Sequence, residues 1–213
     1  MPARYTLHGV WASGPTYKVG LFLSLAGEPF DYVHVNLREG EHKRAEYLAK
    51  QRFGQVPLLV DNSNGRHLCQ SAAILEYLAD KTGKFGGATL QERMDAREWV
   101  FWEFDRLSKG IYRPRAAKLG FAQFPPEVLA HYEADGQAGL KTLDSHLGGR
   151  SWIVGDAPSF ADIDIYGVVA YAPHAGVDLS AFPNVSAWMK RVEALPGFRS
   201  NEDLLPKETK AAA

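Results

Sequence analysis

The stretch from Gly54 to Asp80 constrains the fold more than any other: Gly-Gln-Val-Pro-Leu-Leu-Val-Asp, then Asn-Ser-Asn-Gly, then Arg-His-Leu-Cys-Gln-Ser-Ala-Ala-Ile-Leu-Glu-Tyr-Leu-Ala-Asp. It reads as a strand, a tight turn, a second strand and a helix. Leu58, Leu59 and Val60 form a short apolar run. Asn64-Gly65 tolerates the positive backbone angles of a two-residue hairpin turn, so His67-Leu68-Cys69 is expected to pair back. Pro57 has no N–H to give a ladder and, at the first position of a strand, marks an edge or a loop with its backbone outward. A cis Val56–Pro57 bond would provide that. Ser71 is expected as the N-cap of a helix whose apolar face is Ala72, Ile74, Leu75, Leu78 and Ala79. The first turn of that helix suits an anion, because unpaired N–H groups and the positive end of the dipole lie there.

Upstream, Tyr5 to Val10 reads as a first strand. Pro15 sits in the first turn of a helix carrying Val19, Leu21, Phe22, Leu23 and Leu25, and Gly27 ends it. Phe30 to Leu37 is a second strand, parallel to the first through a right-handed βαβ crossover. Arg38 to Lys50 carries a short helix. The order βαβ, α, ββα is thioredoxin-like. Downstream, Lys81 to Thr89 is broken by Gly83, Gly86 and Gly87. Leu90 to Lys118 is helical in pattern, and Met94, Trp99, Val100, Trp102, Phe104 and Leu107 predict a helix buried on several sides. Pro125-Pro126 opens another helix, ending at Gly148-Gly149.

Val56-Pro57 followed by Gln70-Ser71-Ala72-Ala73-Ile74-Leu75, separated by one hairpin, resembles the glutathione-binding half of the soluble glutathione S-transferases. Two further patterns belong to the same resemblance. Ser159-Phe160-Ala161-Asp162 is similar to the family's Ser/Thr-x-Ala-Asp signature, a capping box with Asp162 expected to satisfy backbone donors at a buried helix start. Pro183 and Trp188 repeat its Pro-x-x-x-x-Trp spacing. The resemblance runs from about Tyr5 to Phe198. It implies a thioredoxin-like α/β domain over residues 1–82, a linker over 83–89 and an all-helical domain over 90–213. It also implies a cis Pro57, pairing of the Val56 backbone with the cysteinyl part of glutathione, and capture of the γ-glutamyl carboxylate by Gln70 and Ser71.

The chemistry is expected after the first strand. Ser13-Gly14-Pro15-Thr16 stands where thioredoxins carry Cys-Gly-Pro-Cys, so both sulfurs are replaced by hydroxyls. The single cysteine, Cys69, has no resolving partner, and any thiol chemistry must use a bound thiol. A hydroxyl at a helix N-terminus can donate to a thiolate, aided by the dipole. Lowering a thiol pKa from about 8.5 to roughly 6.5 takes about 2.7 kcal/mol. A hydrogen bond to a charged group supplies ~1.5–3 kcal/mol and a helix end ~0.3–1. The spacing from Ser13 through Pro15 to Val19 resembles the Ser-type, theta-like classes, in which this serine activates glutathione. The plainer role for Ser13 is an N-cap alone. The activating tyrosine of other classes would fall near Gly9, with Tyr5 and Tyr17 as outside candidates.

Gly40-Glu41-His42-Lys43 resembles the theta-like stretch whose histidine meets the glycyl carboxylate. The chain departs from the family's Asn-Pro-x-Gly-Lys with Gln51-Arg52-Phe53-Gly54-Gln55. Gln55 can bond a carboxylate without neutralising it, unless Arg52 or Lys43 compensates. The acceptor site is expected between the domains, with Trp11, Trp102, Tyr112 and the Arg113-Pro114-Arg115 turn as candidates; core packing and a solvated bend are the alternatives. The resemblance also implies a homodimer in which the first domain of one chain faces the long helices of the other: Arg66-His67 is polar at the predicted turn, and Arg93, Arg97 and Asp105 on the long helix are candidates to pair across the axis or reach a neighbour's glutathione amine, with a solvated helix charge as the alternative for Asp105.

A chain of 213 residues with 46% hydrophobic and 12% aromatic residues fills a core, and a net charge of −1 gives no reason to expect nucleic acid or an anionic membrane as partner. The seven histidines lack metal-ligand spacing. One cysteine, no N-terminal apolar segment and no long apolar span favour the cytoplasm. The expected activity is glutathione transfer to a small electrophile, with glutathione as co-substrate and no metal. Glutathione-dependent reduction of disulfides or peroxides, and a non-catalytic ligand or interaction role, are the rival readings.

Overall fold

The computed structural model describes residues 3–207. By contact density the chain divides into two units, residues 3–84 together with 195–207, and residues 85–194. The first unit runs β1 (Tyr5–Gly9), α1 (Gly14–Ala26), β2 (Phe30–His34), α2 (Ala45–Leu48), β3 (Leu58–Asp61), β4 (Arg66–Cys69) and α3 (Ser71–Thr82). The sheet order is β2-β1-β3-β4, with β1 parallel to β2 and antiparallel to β3. This is the thioredoxin-like arrangement the sequence implied. Tyr5 and Leu7 of β1, Phe22 and Leu23 of α1, and Ile74, Leu75 and Leu78 of α3 are fully buried together with Leu59, while Leu58 is buried on the other sheet face with Val35 and Tyr47. They form the apolar centre that drives this unit's collapse.

Three local expectations need correction. Strand β2 stops at His34, short of Leu37, because the Asn36 carboxamide accepts the N–H groups of Arg38 (3.1 Å) and Glu39 (3.2 Å) and turns the chain. The hairpin turn is a four-residue loop. Asp61 pairs with Arg66, only Gly65 has a positive φ (69°), and the fully buried Asp61 carboxylate accepts from Ser63 N–H and from the Tyr77 hydroxyl (2.7 Å). Finally, Ser71 is the first residue of α3 and Gln70 occupies the cap position at φ 67°. One residue must turn the chain from β4 into α3, and that residue is held in a region L side chains rarely adopt.

The second unit comprises α4 (Leu90–Trp102), a π-helical turn over Glu103–Leu107, α5 (Ser108–Lys118), α6 (Pro126–His146), α7 (Phe160–Val169) and α8 (Pro183–Glu193). The segment expected to be buried on several sides is buried on one. Ala96, Val100, Glu103 and Leu107 face inward, whereas Met94 and Phe104 are exposed with Leu90 and Phe101. The expected Arg113-Pro114-Arg115 turn is continuous helix, with Pro114 inside α5. Helices α5 and α6 cross with no side chain between them. A Cβ on Gly136 would lie 2.6 Å from the Gly110 carbonyl oxygen, and one on Gly110 would overlap the Gly136 backbone. Pro114 supplies no N–H to that same Gly110 carbonyl.

Residues 195–207, expected in the helical domain, pack on the first unit instead. Gly197 lies against α1, where a Cβ would be 2.6 Å from the Ser24 carbonyl oxygen, and the Ser24 hydroxyl donates to the Gly197 carbonyl (2.6 Å). Tyr17 donates its hydroxyl to the Arg199 carbonyl (2.9 Å). The short α9 (Asn201–Leu204) follows, and the buried Leu204 and Leu205 cover Gly20. The Leu204-Leu205 pair is the sequence signal for this return, since it needs an apolar surface to cover.

The capping box at α7 forms as expected: the Ser159 side chain takes an N–H of the first turn and Asp162 takes the Ser159 N–H (2.9 Å). The Asp162 carboxylate also accepts from the Ser159 hydroxyl (3.0 Å), from Ile153 N–H (3.0 Å) and from the Trp188 indole N–H (2.9 Å), and is fully buried. It therefore ties the start of α7 to the 151–155 loop and to α8. Burial raises its pKa even though four donors favour the charged form. Asp162→Ala leaves these donors dry and is expected to cost more than about 2 kcal/mol. Trp188→Phe, losing one donor to the carboxylate and leaving a small cavity, should cost about 1.5–3 kcal/mol. Chemical denaturation of both variants checks the order and the size.

Candidate functional site

The register of the sheet brings most of the sequence-derived residues to one end of the first unit. Gly9 pairs with His34, His8 with Leu58, and Leu58 with Cys69. The C-terminal end of β1, which leads to Trp11 and Ser13, therefore lies beside the N-terminal end of β3, which follows Val56-Pro57. The C-terminal end of β4, which leads to Gln70 and Ser71, is there too. The Val56–Pro57 bond is cis. Val56 lies outside the β3 ladder, which begins at Leu58.

Ser13 caps α1. Its backbone is extended, its N–H donates to the Val10 carbonyl (2.9 Å), and its Oγ accepts the Thr16 N–H (3.2 Å). With a lone pair of Oγ engaged by Thr16, the single O–H is left to donate outward at the positive end of a helix of 13 residues. The loop can take this path because Gly9 has no side chain: a Cβ there would overlap the Thr16 side chain. The outside candidates lie elsewhere. Tyr5 is fully buried at the far end of β1 with its pKa pushed up to about 12, chiefly by burial. Tyr17 has committed its hydroxyl to Arg199.

On the other side of Pro57, the Gln70 Nε2 donates to Gln55 Oε1 (3.1 Å), so two of the candidate glutathione residues touch. No side chain caps α3. Lys43 Nζ donates to the Gly54 carbonyl (2.9 Å), and the His42 carbonyl packs against Gly54, where a Cβ would be 3.1 Å from it. His42 and Lys43 thus border the loop that carries Gln55, and His42 Nδ1 is buried without a hydrogen-bond partner among the described residues. The Arg52 guanidinium lies over the Phe53 ring, 4.7 Å from its centre. The residue that sequence reading missed is Gln51. It is buried, its Oε1 accepts from Phe53 N–H (2.9 Å) and Gln55 N–H (3.4 Å), and its Nε2 reaches the Pro57 carbonyl (3.4 Å). Its signal was its place at the head of the atypical 51–55 stretch.

Among the acceptor candidates, Trp11 stands two residues before Ser13, its carbonyl taken by Asn201 Nδ2 (2.7 Å) and its ring covered by the Lys207 ammonium (4.8 Å). In the second unit, Tyr112 ties α5 to α7 through the Gly167 carbonyl (2.8 Å), and its pKa is raised well above the usual range, first by burial. Arg113 is exposed on α5 and lines a cavity of about 570 Å³ with Asp105, Lys109 and His131. Arg115 is buried over the Tyr171 ring at 4.2 Å. Trp102 stacks edge-on with Trp99 (4.9 Å). Asp105 pairs with Arg106 (2.8 Å) and Lys109 (3.8 Å) of its own segment. No group of three or more His, Cys, Asp or Glu that could hold a metal occurs among the described residues.

A thioredoxin-like unit with a hydroxyl in place of the cysteine, joined in sequence to a helical unit with an Asp-capped central helix, defines the glutathione S-transferase class of fold. Residues 3–80 match the family model for the glutathione S-transferase N-terminal domain and residues 127–196 that for the C-terminal domain. Glutathione S-transferase theta-1 of Mus musculus is 30% identical over 208 residues, 92% of this chain and 86% of the relative. The disulfide-bond oxidoreductase YfcG of Escherichia coli (strain K12) is 29% identical over 185 residues, 84% of this chain and 86% of the relative. A crystal structure of a glutathione S-transferase from Pseudomonas fluorescens superposes with a TM-score of 0.89 at 30% identity, covering 94% of this chain and all 100% of the other. The chain belongs to the glutathione S-transferase family.

His8 points from β1 to the sheet face opposite Gly9 and α1. There it lines a cavity of about 340 Å³ with His34, Arg44, Tyr47 and Lys50. Its pKa is lowered from 6.5 to about 4, first by burial, then by the charges of Lys50 and His67. Below pH 6.5 the unfolded chain takes up this proton and the folded one does not, so stability falls as pH drops from 6.5 towards about 4. His8→Gln should flatten that limb of the stability–pH curve, as read by denaturant midpoints across the range.

Proposed function

We propose that this protein is a glutathione transferase in which Ser13 holds the glutathione sulfur as a thiolate for attack on a small, hydrophobic electrophile. The observation that carries this reading is the Ser13 geometry. Oγ is fixed by the Thr16 N–H (3.2 Å) at the start of α1, with its own proton left to donate. The hydrogen bond and the helix end together supply the ~2.7 kcal/mol needed to lower a thiol by about two pKa units. The thiol proton leaves to solvent, the sulfur forms a bond to the electrophilic atom, and the leaving group departs with the electron pair. Ser13 gives a hydrogen bond and no proton.

Glutathione is the proposed co-substrate. Its γ-glutamyl carboxylate would meet the uncapped start of α3 at Gln70 and Ser71, its cysteinyl amide the backbone of Val56 before Pro57, and its glycyl carboxylate His42 and Gln55. Lys43, anchored on Gly54, supplies the positive charge that Gln55 lacks. Trp11 is the proposed wall on the acceptor side of the sulfur. The proposed compartment is the cytoplasm, in keeping with a free Cys69. A second reading is supported by the similarity to a protein named as a disulfide-bond oxidoreductase. In it the same thiolate attacks a disulfide sulfur, forming a mixed disulfide while the S–S bond breaks and the other sulfur leaves as a thiolate, since buried Cys69 is the chain's one cysteine.

The protein is proposed to act as a homodimer through α4. Leu90, Met94, Phe101 and Phe104 are 76%, 41%, 73% and 63% exposed along this segment. The spacing of the first three, i, i+4 and i+11, puts them on one stripe.

Titration calorimetry should show glutathione binding, whose absence would leave a non-catalytic role. Ser13→Ala should keep the fold and abolish the thiolate absorbance of bound glutathione at neutral pH, with turnover of an aryl halide falling about 100-fold or more. Retained absorbance and turnover would show that Ser13 is a cap alone. Parallel assays with an aryl halide, a hydroperoxide and a mixed disulfide separate transfer from reduction. For the dimer, sedimentation at micromolar and nanomolar concentrations should give one species of twice the chain mass, with more than about 2,000 Å² buried in an obligate interface. A monomer at micromolar concentration would refute it.

A further inference from the structure

We infer that Asn201 is a positioning residue for Ser13, acting through the Trp11 carbonyl; this rests on the assignment of Ser13 as the activating hydroxyl. The loop between β1 and α1 is short, running from Val10 to Ser13. Its inner edge is fixed by Ser13 N–H to the Val10 carbonyl (2.9 Å) and by Tyr17 N–H to the Ser13 carbonyl (2.9 Å). At Trp11 the loop is held by a residue 190 positions away, through Asn201 Nδ2 to the Trp11 carbonyl at 2.7 Å.

The geometry around Asn201 suits that single task. Ser200 caps α9 by accepting the Asp203 N–H (3.2 Å), which fixes the backbone from which the carboxamide projects. The segment is tied to α1 on its other side by Tyr17 to Arg199 and Ser24 to Gly197. Asn201 Oδ1 is buried with no hydrogen-bond partner among the described residues. A carboxamide that leaves its oxygen dry adds little to stability, and an apolar residue would serve that end better. What the dry oxygen leaves in place is a donor aimed at the Trp11 carbonyl, and the reversed amide would set two oxygens against each other. Lys207 over the Trp11 ring holds the same residue from its side-chain face. The C-terminal segment thus completes the support of the Ser13 loop. A hydroxyl that must meet a sulfur at hydrogen-bond distance is sensitive to displacements well under an ångström, and a misplacement of about 1 Å can cost up to ~100-fold in rate.

The test compares Asn201→Asp, which keeps the shape and replaces the donor with a charged acceptor, with Ser24→Ala, which loosens the same segment away from the loop. Each full-length variant is measured for the pH midpoint of bound-glutathione thiolate absorbance, for kcat and KM with glutathione, and for melting temperature. Asn201→Asp should raise the thiolate midpoint and lower kcat about tenfold, with KM for glutathione within about twofold. Ser24→Ala should lower the melting temperature and leave the midpoint in place. In a Ser13→Ala background, Asn201→Asp should add no further loss. If Asn201→Asp fails to fold, Asn201→Ser, too short to reach the carbonyl, carries the same readouts. A shifted midpoint in Ser13→Ala with none in the Asn201 variant overturns the positioning role alone. No shift in either overturns it together with the Ser13 assignment.

Discussion

At the end of β1 the strand and the helix that follows it meet with no room for a side chain, and the arrangement of the first unit follows from that contact. Gly9 lies against Thr16 so closely that a Cβ would overlap it. Because the strand runs onto the first turn of α1, the intervening loop is only four residues, and Ser13 is delivered to the helix end with its backbone extended. The sheet ladder then does the rest. β1 pairs with β2 on one side and β3 on the other, so the segments that follow β2, precede β3 and follow β4 are all brought to the level of Ser13.

What could be read from the sequence was what local chemistry decides. The β-branched and apolar runs gave strands, the Ser159–Asp162 spacing gave a cap that forms with the expected atoms, and Gly27 gave a helix end. What could not be read depended on partners far along the chain. Asn64-Gly65 is a good two-residue turn in isolation, but the buried Asp61 carboxylate organises a wider loop around itself. Ser71 is a good cap in isolation, yet the distance from β4 to α3 leaves Gln70 to make the turn. The return of residues 195–207 to α1 has no periodic signature. It rests on two leucines, two glycines and single hydrogen bonds to Ser24, Tyr17 and Trp11.

The candidate site shows the same division. Val56-Pro57 was legible because its type and spacing carry the pattern, and the bond is cis as the resemblance implied. The 51–55 stretch was legible only as a departure. Gln51 fills the interior of the loop with its carboxamide, bonding Phe53, Gln55 and Pro57 at once. That leaves the side chain of Gln55 on the outside to meet Gln70. Seen alone, the exchange of Lys for Gln at 55 is a lost charge. With Lys43 seated on the Gly54 carbonyl, a cation stands one residue away on a different segment.

In the helical unit, the crossing of α5 and α6 has a consequence for how these helices move. Gly110 and Gly136 touch backbone to backbone, flanked by Gly139 against Leu107. Sliding either helix along its axis by one turn would bring Arg106 or Pro114, Tyr132 or Leu140, into a gap that holds no methyl group, and van der Waals repulsion rises far faster than any contact could compensate. Translation along the axes is therefore blocked. The joint fixes the registration of the two helices by the absence of atoms, much as a notch aligns two beams.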